Sequence, residues 1–459
     1  MRKALSLIAA VAILVLATGF AKAEAAAHLD SSFGKGGVVP LPDQVGEIWR
    51  TVQLPDGRTV VPSRDGVFAL LPSGQVDTSF GVDGFAAIVL PPEATQASVA
   101  DLLLDPQGRL LVVGNAGLCT PGEKGRTDQR QAILVERFDP HGRLDLGFGE
   151  GGFVTSDFGA APPTPVQPPP GIGTPPPPAG QRPSVLARYA ALDAAGRIVI
   201  SAQRLAGYQF HKGYFVSRYE AFAARLEANG KVDASFAAGG VLSVPASETL
   251  ARPLVDSQGG FYIQSFGGNG STLVHLQANG RADPRFGQNG GRPLPAGTDS
   301  PVLLDGSGRL LLYGYLPGSK ERRLANGILI KRLLPSGKLD RGFGRGGAIR
   351  FRMPRLYTAR ITLDERGRIL VGAALKEQFG KGRQKAMPAG FALVRLRPGG
   401  RLDTRFGRQG IVQIPLPRYE TDMNVESLGA RSGMALMGGG GCGNDGCGRV
   451  LVRLALGSD

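Results

Sequence analysis

The feature that most constrains the fold is a short segment that occurs seven times along the chain. Each copy approximates Leu/Val-Asp-x-x-Phe-Gly and is followed within a few residues by a glycine and a short apolar run. We call this segment the anchor. Successive anchor aspartates are 47, 68, 88, 50, 57 and 63 residues apart, a range typical of propeller blades and solenoid turns. The anchor residues predicted to be structural are Asp30, Phe33, Asp77, Phe80, Asp145, Phe148, Asp233, Phe236, Asp283, Phe286, Asp340, Phe343, Asp403 and Phe406.

Strand and turn signals recur in the same order between the anchors. An apolar run such as Ile411-Val412 follows the anchor and is expected to be a first strand. A hairpin turn such as Asp305-Gly-Ser-Gly308 comes next, and a further strand such as 328–330 leads to a second turn and the next anchor. No window longer than a turn or two has a helical period. These patterns predict an all-β protein, a seven-bladed β-propeller of four-stranded antiparallel blades.

The two ends of the sequence are predicted to complement each other. The last strand, 450–454, stops just short of where an eighth anchor would begin, and the anchor at Asp30 supplies that piece from the other end. An open solenoid would need polar capping repeats at both ends. We therefore expect juxtaposed N- and C-terminal segments to close the ring over residues 28–459.

The anchor side chains are expected to serve the fold rather than chemistry. The phenylalanine is predicted to pack between neighbouring sheets, and the aspartate to cap a turn through backbone N–H groups. A calcium site would need several oxygen ligands, whereas only the aspartate recurs here. The sequence therefore predicts no cofactor, no metal site and no catalytic residue among the anchors.

The N-terminal residues 1–23 have the pattern of a signal peptide. Arg2 and Lys3 precede an apolar run and the small-x-small cleavage site Ala21-Lys22-Ala23. The alternative, a retained membrane anchor, is less favoured because the apolar run is short. We expect an exported, periplasmic or extracellular protein without a transmembrane segment after signal removal.

Residues 161–183 are rich in proline and predict a loop inserted in the third repeat.

The chain has three cysteines, and two of them are candidates for a disulfide. Cys442 and Cys447 flank a short glycine-rich loop, which an exported protein can oxidise, and Cys119 would then be buried or free. The four histidines show no ligand spacing with the thiols, and none lies in a setting that favours nucleophilic catalysis.

Positive charge is concentrated in one part of the chain. The formal net charge is +15, and residues 301–420 contain 25 Lys or Arg against 8 Asp or Glu. Within this sector Arg350, Arg352, Arg355 and Arg360 form a candidate anion-contact surface, because alternate residues of a strand share a face. An ordinary solvated surface is the competing interpretation. The expected partner is an anionic polysaccharide, lipopolysaccharide or another envelope protein; nucleic acid is disfavoured because interleaved aromatic residues are lacking.

The anchor repeats resemble a known family. Seven copies of Leu/Val-Asp-x-x-Phe-Gly, each preceded by a turn glycine and an apolar hairpin, are similar to the delta-60 repeat family of bacterial, exported, propeller-like repeats, which are distantly similar to NHL repeats. The resemblance extends over essentially all of the chain after residue 28, with Ala237 and Ala282 as departures. It implies a propeller-like fold but no shared activity, cofactor or catalytic residue.

Three hypotheses of function follow. The first is an exported, non-enzymatic binding or scaffold propeller that contacts an anionic envelope component through the basic sector 301–420. The alternative is a propeller lyase or hydrolase with an acidic or metal site at the axial channel. A structural module of a larger assembly is the third.

Overall fold

The computed structural model describes residues 28–118, 130–161, 184–211, 214–244, 247–267, 270–298, 300–318, 325–376, 389–416, 421–443 and 446–457. These residues form 29 strands, and the described ranges contain no helix, which confirms the predicted all-β class. The predicted signal peptide, nearly all of the proline-rich loop and Cys119 lie outside the described residues.

In chain order the strands are β1 (His28–Leu29), β2 (Val38–Pro40), β3 (Val52–Gln53), β4 (Thr59–Pro62), β5 (Gly66–Leu70), β6 (Phe85–Ala87), β7 (Ala94–Leu104), β8 (Leu110–Leu118), β9 (Arg130–Phe138), β10 (Phe153–Ser156), β11 (Val185–Leu192), β12 (Ile198–His211), β13 (Tyr214–Leu226), β14 (Val241–Val244), β15 (Thr249–Leu250), β16 (Leu254–Val255), β17 (Phe261–Gly267), β18 (Gly270–Leu276), β19 (Gly291–Pro293), β20 (Ser300–Leu304), β21 (Leu310–Leu316), β22 (Ala325–Leu333), β23 (Ala348–Leu363), β24 (Ile369–Leu375), β25 (Gly390–Leu396), β26 (Ile411–Pro415), β27 (Thr421–Arg431), β28 (Met434–Gly443) and β29 (Gly446–Ala455).

The strands form antiparallel sheets in a propeller arrangement. Five separate blades have four or five strands, namely β3–β6, β7–β10, β11–β14, β15–β19, and β27–β29 together with β1 and β2. A sixth sheet, β20–β26, has seven strands. The prediction of seven separate four-stranded blades is therefore wrong.

The continuous strand β23 explains this difference. Its first part, Ala348–Arg352, pairs with β22, whereas Leu356–Leu363 pairs with β24. Irregular segments separate β2 from β3 and β6 from β7, but here the backbone stays extended across the corresponding boundary. A register shift between Leu356 and Thr358 and a φ of 73° at Arg355 accommodate the change of partner. The seven-stranded sheet thus contains the strands of two successive repeats.

The apolar run after each anchor has a different place from the predicted one. Ile411–Pro415, for example, pairs with β25, so it is the last strand of its sheet and not the first strand of the next. The expectation of a first strand was wrong because the anchor is a tight turn that folds the chain back onto the strand before it. In the last anchor the Gly410 N–H donates to the Phe406 carbonyl at 2.7 Å.

The core lies between neighbouring sheets. The anchor phenylalanines are all at most 1% exposed, and Phe80 and Phe148, for example, pack with residues of their own sheet and of the following one. Phe343 shows why the next turn needs a glycine: at Gly400, where φ is 90°, a Cβ atom would lie 3.0 Å from the ring.

The two ends of the described chain pair with each other. Strands β1 and β2 both pair with β29, with His28 opposite Ala455 and Val38 opposite Val452. In one core cluster, Phe33 packs with Leu451 of β29 and Val61 of β4. The last sheet is therefore completed by N-terminal strands and contacts the first sheet.

Candidate functional site

An arginine eight residues before the anchor aspartate forms the main polar contact of most repeats. In the last anchor, Arg395 Nε donates to Asp403 Oδ2 at 2.7 Å, and the guanidinium carbon lies 4.5 Å from the centre of the Phe406 ring. A charge-assisted bond and a cation–π contact thus hold one guanidinium group. The arginines in this position are Arg137, Arg225, Arg332 and Arg395, and Arg453 makes the same contact with Asp30 from the other end of the chain.

The same arginine also binds the neighbouring repeat. Arg332 Nη1 donates to the Pro398 carbonyl at 2.8 Å, and Arg137 Nη1 donates to the Ala228 carbonyl at 2.8 Å. Each acceptor lies five residues before the next anchor aspartate. The Arg–Asp–Phe group, which we call the staple, therefore ties one repeat to the next.

The anchor aspartates are suited to this role because they are bound from two sides. Asp233 Oδ1 accepts from the Ser235 backbone N–H at 3.0 Å, and Oδ2 accepts from Arg225 Nε at 2.7 Å. Burial alone would raise the pKa of Asp233, but the bonds from Ser235 and Arg225 outweigh burial and leave that pKa below its usual value. The aspartate caps its own turn, two residues on, and its oxygens have little capacity left for chemistry.

Two of the grooves between neighbouring repeats differ in what fills them. The Arg332 groove, lined by Asp305, Arg309, Leu311, Arg332 and Pro398 among others, has a cavity of about 180 Å³. The equivalent groove one repeat earlier has a cavity of about 530 Å³, and we call it the His275 groove. Its lining includes Asp256, Ser257, Gln258, Tyr262, His275, Asp283, Arg285, Gly306, Ser307, Gly308, Pro335 and Ser336.

Sequence differences account for the larger cavity. His275 replaces the staple arginine, eight residues before Asp283, and Gly260 replaces the hairpin arginine that Arg309 represents in the Arg332 groove. Asp256 and Asp283 are the counterparts of Asp305 and Asp340. The His275 groove therefore keeps both carboxylates and lacks both arginines.

A single imidazole bridges the two carboxylates of the His275 groove. His275 Nδ1 lies 3.0 Å from Asp283 Oδ2, and Nε2 lies 2.8 Å from Asp256 Oδ2. The ring is stacked on Tyr262, with 4.1 Å between ring centres and 18° between planes. With hydrogen on both nitrogens, the ring donates to both carboxylates.

Tyr262 takes over the contact to the next repeat. Its hydroxyl donates to the Pro335 carbonyl at 3.3 Å, the acceptor that a guanidinium group would bind in a staple. Burial, together with the negative charges of Asp256 and Asp283, raises the pKa of Tyr262 to about 12. The phenol consequently remains a hydrogen-bond donor at neutral pH.

Asp283 has a second cation at the groove mouth. Arg285 Nε lies 3.0 Å from Oδ1 and Nη2 lies 3.1 Å from Oδ2. These bonds from Arg285 hold the pKa of Asp283 at about 2, against the opposing effect of burial. The Arg285 side chain is 73% exposed, so this cation covers Asp283 from the solvent side.

The four arginines predicted to bind anions do not share one surface. Arg350 and Arg352 are exposed on β23, two residues apart, as predicted for a shared strand face. Arg355 Nε instead donates to the Lys376 carbonyl at 2.7 Å, and Arg360 Nε donates to the Glu426 carbonyl at 3.0 Å. Only the first two therefore remain candidates for a common surface.

The first strands of several sheets bring other charged groups together. Asp101 of β7 is 0% exposed and binds both Arg252 Nη1 and Arg252 Nη2, the latter at 3.0 Å, while Arg50 Nε lies 3.9 Å away. Asp101 Oδ2 also accepts from the Ala190 N–H of β11 at 2.8 Å. This carboxylate is fully occupied by bonds that link different sheets.

Cys442 and Cys447 lie opposite each other on β28 and β29 and are joined by a disulfide.

Among the residues that the structure describes, no group of three or more His, Cys, Asp or Glu side chains is arranged to hold a metal ion. Over the same residues, no helix is long and apolar enough to cross a membrane.

Fold and site together place the chain among all-β proteins of propeller type. No protein-family model matches the chain, and no curated protein matches it. Solved structures with a similar fold include BBS1N in complex with ARL6DN, at 11% identity and a TM-score of 0.44 over 94% of this chain and 97% of that one. They also include a gluconolactonase from Xanthomonas campestris, at 14% identity and a TM-score of 0.33 over 73% of this chain and 85% of that one. A Trypanosoma rangeli sialidase in complex with sialic acid is 13% identical, with a TM-score of 0.38 over 87% of this chain and 59% of that one. At these scores we base no functional argument on them.

Proposed function

We propose that the protein is an exported, non-enzymatic binding or scaffold propeller that contacts an anionic glycan of the cell envelope. The observation that carries this proposal is a pair of exposed arginines on one strand, Arg350 and Arg352. Neither has an ion-pair partner among the described residues, whereas the arginines eight residues before an anchor aspartate each bind that aspartate. Cations that are left without an internal partner are available to an external anion.

A third cation strengthens the local field. Lys331 lies on the neighbouring strand β22, and its Nζ donates to the Ala296 carbonyl at 2.6 Å. Burial and then the positive charge of Arg350 lower the pKa of Lys331. Like charges that repel one another in the free protein would be stabilised by an anion that binds across them. We call Lys331, Arg350 and Arg352 the basic edge.

The enzymatic alternative has less support. A lyase or hydrolase at the axis would need a carboxylate that is open to substrate. Two carboxylates on the first strands of their sheets, Asp101 and Glu426, instead accept hydrogen bonds from backbone N–H groups and lie beside arginines. We therefore favour binding over catalysis.

We also propose that the pairing of β1 and β2 with β29 closes the propeller. The support is that Arg453 and Asp30, which come from opposite ends of the chain, form a staple with 2.7 Å between Nε and Oδ2. Phe33 completes this staple, with the Arg453 guanidinium carbon 4.4 Å from its ring centre. The contact between the ends is thus of the same kind as the contacts between successive repeats.

Binding to an immobilised polyuronate at low and at high salt tests the proposed function. We expect the protein to bind at low salt and to dissociate as salt rises, because exposed charges are screened. The double variant Arg350→Ala/Arg352→Ala should lose about tenfold in affinity, which corresponds to roughly 1.4 kcal/mol.

The control variant for this test is Arg143→Ala/Lys231→Ala. It removes the same charge from two exposed residues outside the basic sector and should bind nearly as well as the unaltered protein. Equal losses in the two double variants would show attraction by net charge alone, and absence of binding at low salt would overturn the proposal.

A further inference from the structure

We infer that the His275 groove is a binding site for a guanidinium group. This inference concerns a different surface from the basic edge and does not depend on the anionic partner. The first argument is the neighbouring Arg332 groove, which has the same backbone framework and contains two guanidinium groups. There Arg309 Nε lies 2.7 Å from Asp305 Oδ2, and Arg332 Nε lies 2.8 Å from Asp340 Oδ2.

The second argument is that the His275 groove keeps the acceptors of the Arg332 groove and lacks its two arginines. Asp256, Asp283 and the Pro335 carbonyl stand where Asp305, Asp340 and the Pro398 carbonyl stand in the Arg332 groove. The cavity is about 530 Å³ in place of about 180 Å³. A pocket of this size with convergent polar groups is within the usual range for small ligands.

The third argument is that the chain cannot fill the cavity from residue 260. A Cβ atom built on Gly260 would lie 2.6 Å from the Leu276 carbonyl oxygen and 2.8 Å from Asp256 Oδ2. A side chain at this position would therefore require shifts of the Leu276 backbone and the Asp256 carboxylate, and Gly260 places no group in the cavity. The space beside Asp256 is left to a group from outside.

Because Arg285 already binds Asp283, Asp256 is the main contact that remains for a guanidinium group from outside. Arg285 binds Asp283 through Nε and Nη2, whereas no arginine or lysine of the described residues forms an ion pair with Asp256, which His275 Nε2 contacts at 2.8 Å. The Asp256 Oδ1 atom accepts backbone N–H groups of Gln258 and Gly260, at 2.7 and 3.0 Å. The Asp256 side chain is 17% exposed, so Oδ2 can accept a second donor besides His275.

The groove is thus suited to a planar cation with several N–H donors. Such a cation can bind a carboxylate and neighbouring hydroxyl or carbonyl oxygens at once. Ser257, Ser307 and Ser336 supply hydroxyl groups around the cavity. The guanidinium group can belong to a small molecule or to an arginine side chain exposed on a partner. The recognition by Asp256 is the same in both cases.

Nuclear magnetic resonance of the histidine rings in the full chain tests this inference. The chain has four histidines, so His275 can be observed beside His28, His141 and His211 as internal references. Titration with methylguanidinium should shift the His275 ring signals to saturation and leave the other three unchanged. Tetramethylammonium, which has no N–H donor, should not do so.

Matched variants locate the site. Asp256→Asn should weaken methylguanidinium binding at least about tenfold, whereas Asp305→Asn, the same change in the Arg332 groove, should leave it unaltered. The double variant Tyr262→Leu/His275→Arg, which introduces the side-chain types of Leu311 and Arg332, is tested by calorimetry because it lacks the reporter. It should abolish binding while the protein stays folded.

Two further ligands separate the sources of the guanidinium group. Tighter binding of agmatine than of a peptide with a blocked backbone and one arginine would favour a small molecule, and the reverse order would favour a partner protein. Both orders support a guanidinium site. No saturable shift at His275, or equal shifts with tetramethylammonium, would overturn it.

Discussion

The His275 groove and the Arg332 groove are neighbours with the same framework but opposite properties. In the Arg332 groove two arginines neutralise two aspartates, and one of them binds the carbonyl of the next repeat. In the His275 groove one histidine bridges both aspartates, and Tyr262 supplies the contact to the next repeat. Replacement of arginine by histidine at one repeat thus exchanges a packed polar contact for a cavity.

This difference shows how a repeat protein can acquire a site without a new fold. Most interfaces between repeats contain the staple, whereas the His275 groove makes its contact to the next repeat through Tyr262 and has no staple arginine. Positions that depart from the repeat are therefore better indicators of a site than positions that keep it.

The staple between the ends should be the most costly to remove. A chain that begins at residue 38 lacks β1, Asp30 and Phe33, so it loses a buried aromatic ring and leaves Arg453 without its carboxylate. We expect the free energy of unfolding to fall by more than about 5 kcal/mol, since a lost ion pair and a lost aromatic side chain act together. Urea denaturation measures this effect. A chain that begins at residue 28 is the control, and equal midpoints of the two chains would contradict closure by these strands.

A single staple should contribute more stability than its counterpart in the His275 groove. Arg332→Ala leaves Asp340 and the Pro398 carbonyl without their donor, and we expect a loss of roughly 3–5 kcal/mol. His275→Ala should cost roughly 1–3 kcal/mol, because Arg285 still binds Asp283 and Asp256 can be hydrated through the cavity. Denaturation curves of both variants give the comparison. A loss for His275→Ala as large as that for Arg332→Ala would show that the two grooves are equally packed.

Glu136 is a buried carboxylate outside the two grooves, and it accepts a hydrogen bond from one backbone amide. Glu136 is 0% exposed, its Oε1 accepts from the Val89 N–H at 2.8 Å, and burial raises its pKa from 4.5 to about 8. The folded state therefore holds a proton that the unfolded state releases above pH 4.5. Stability should fall as pH rises from 4.5 to about 8, by about 1.4 kcal/mol per pH unit at most from this group.

Glu136→Gln tests this dependence, because its amide cannot ionise. The stability of the unaltered protein relative to Glu136→Gln should decline between pH 5 and pH 8 and then level off, as measured by urea denaturation at several pH values. A difference between the two proteins that is independent of pH would show that Glu136 is ionised in the folded state.

The sequence predicted the anchors, the strand class, the turns and the pairing of the two ends, because these depend on local patterns that recur. It did not predict the last-strand position of the run after the anchor, or the continuity of β23, because both depend on which partner a strand selects. The staple arginines were missed although a signal exists. Asp340 N donates to the Arg332 carbonyl at 2.8 Å across the turn, so residues eight apart become neighbours.

The candidate site was harder to predict than the fold. His275 has no motif around it. It can be recognised as a candidate only by comparison with the arginines at the same position in other repeats. An alignment of the repeats on their aspartates, extended eight residues upstream, would have shown His275 as a departure. The cavity itself depends on Gly260 and on packing between two repeats, which local sequence does not reveal.

The double variant Tyr262→Leu/His275→Arg tests most directly whether the missing arginine accounts for the cavity. If it does, the new guanidinium group should bind Asp283 and the Pro335 carbonyl and fill part of the groove. We then expect the free energy of unfolding to rise by about 1 kcal/mol, as for other cavity-filling changes, and methylguanidinium binding to disappear. A folded double variant of lower stability that still binds methylguanidinium would contradict this account.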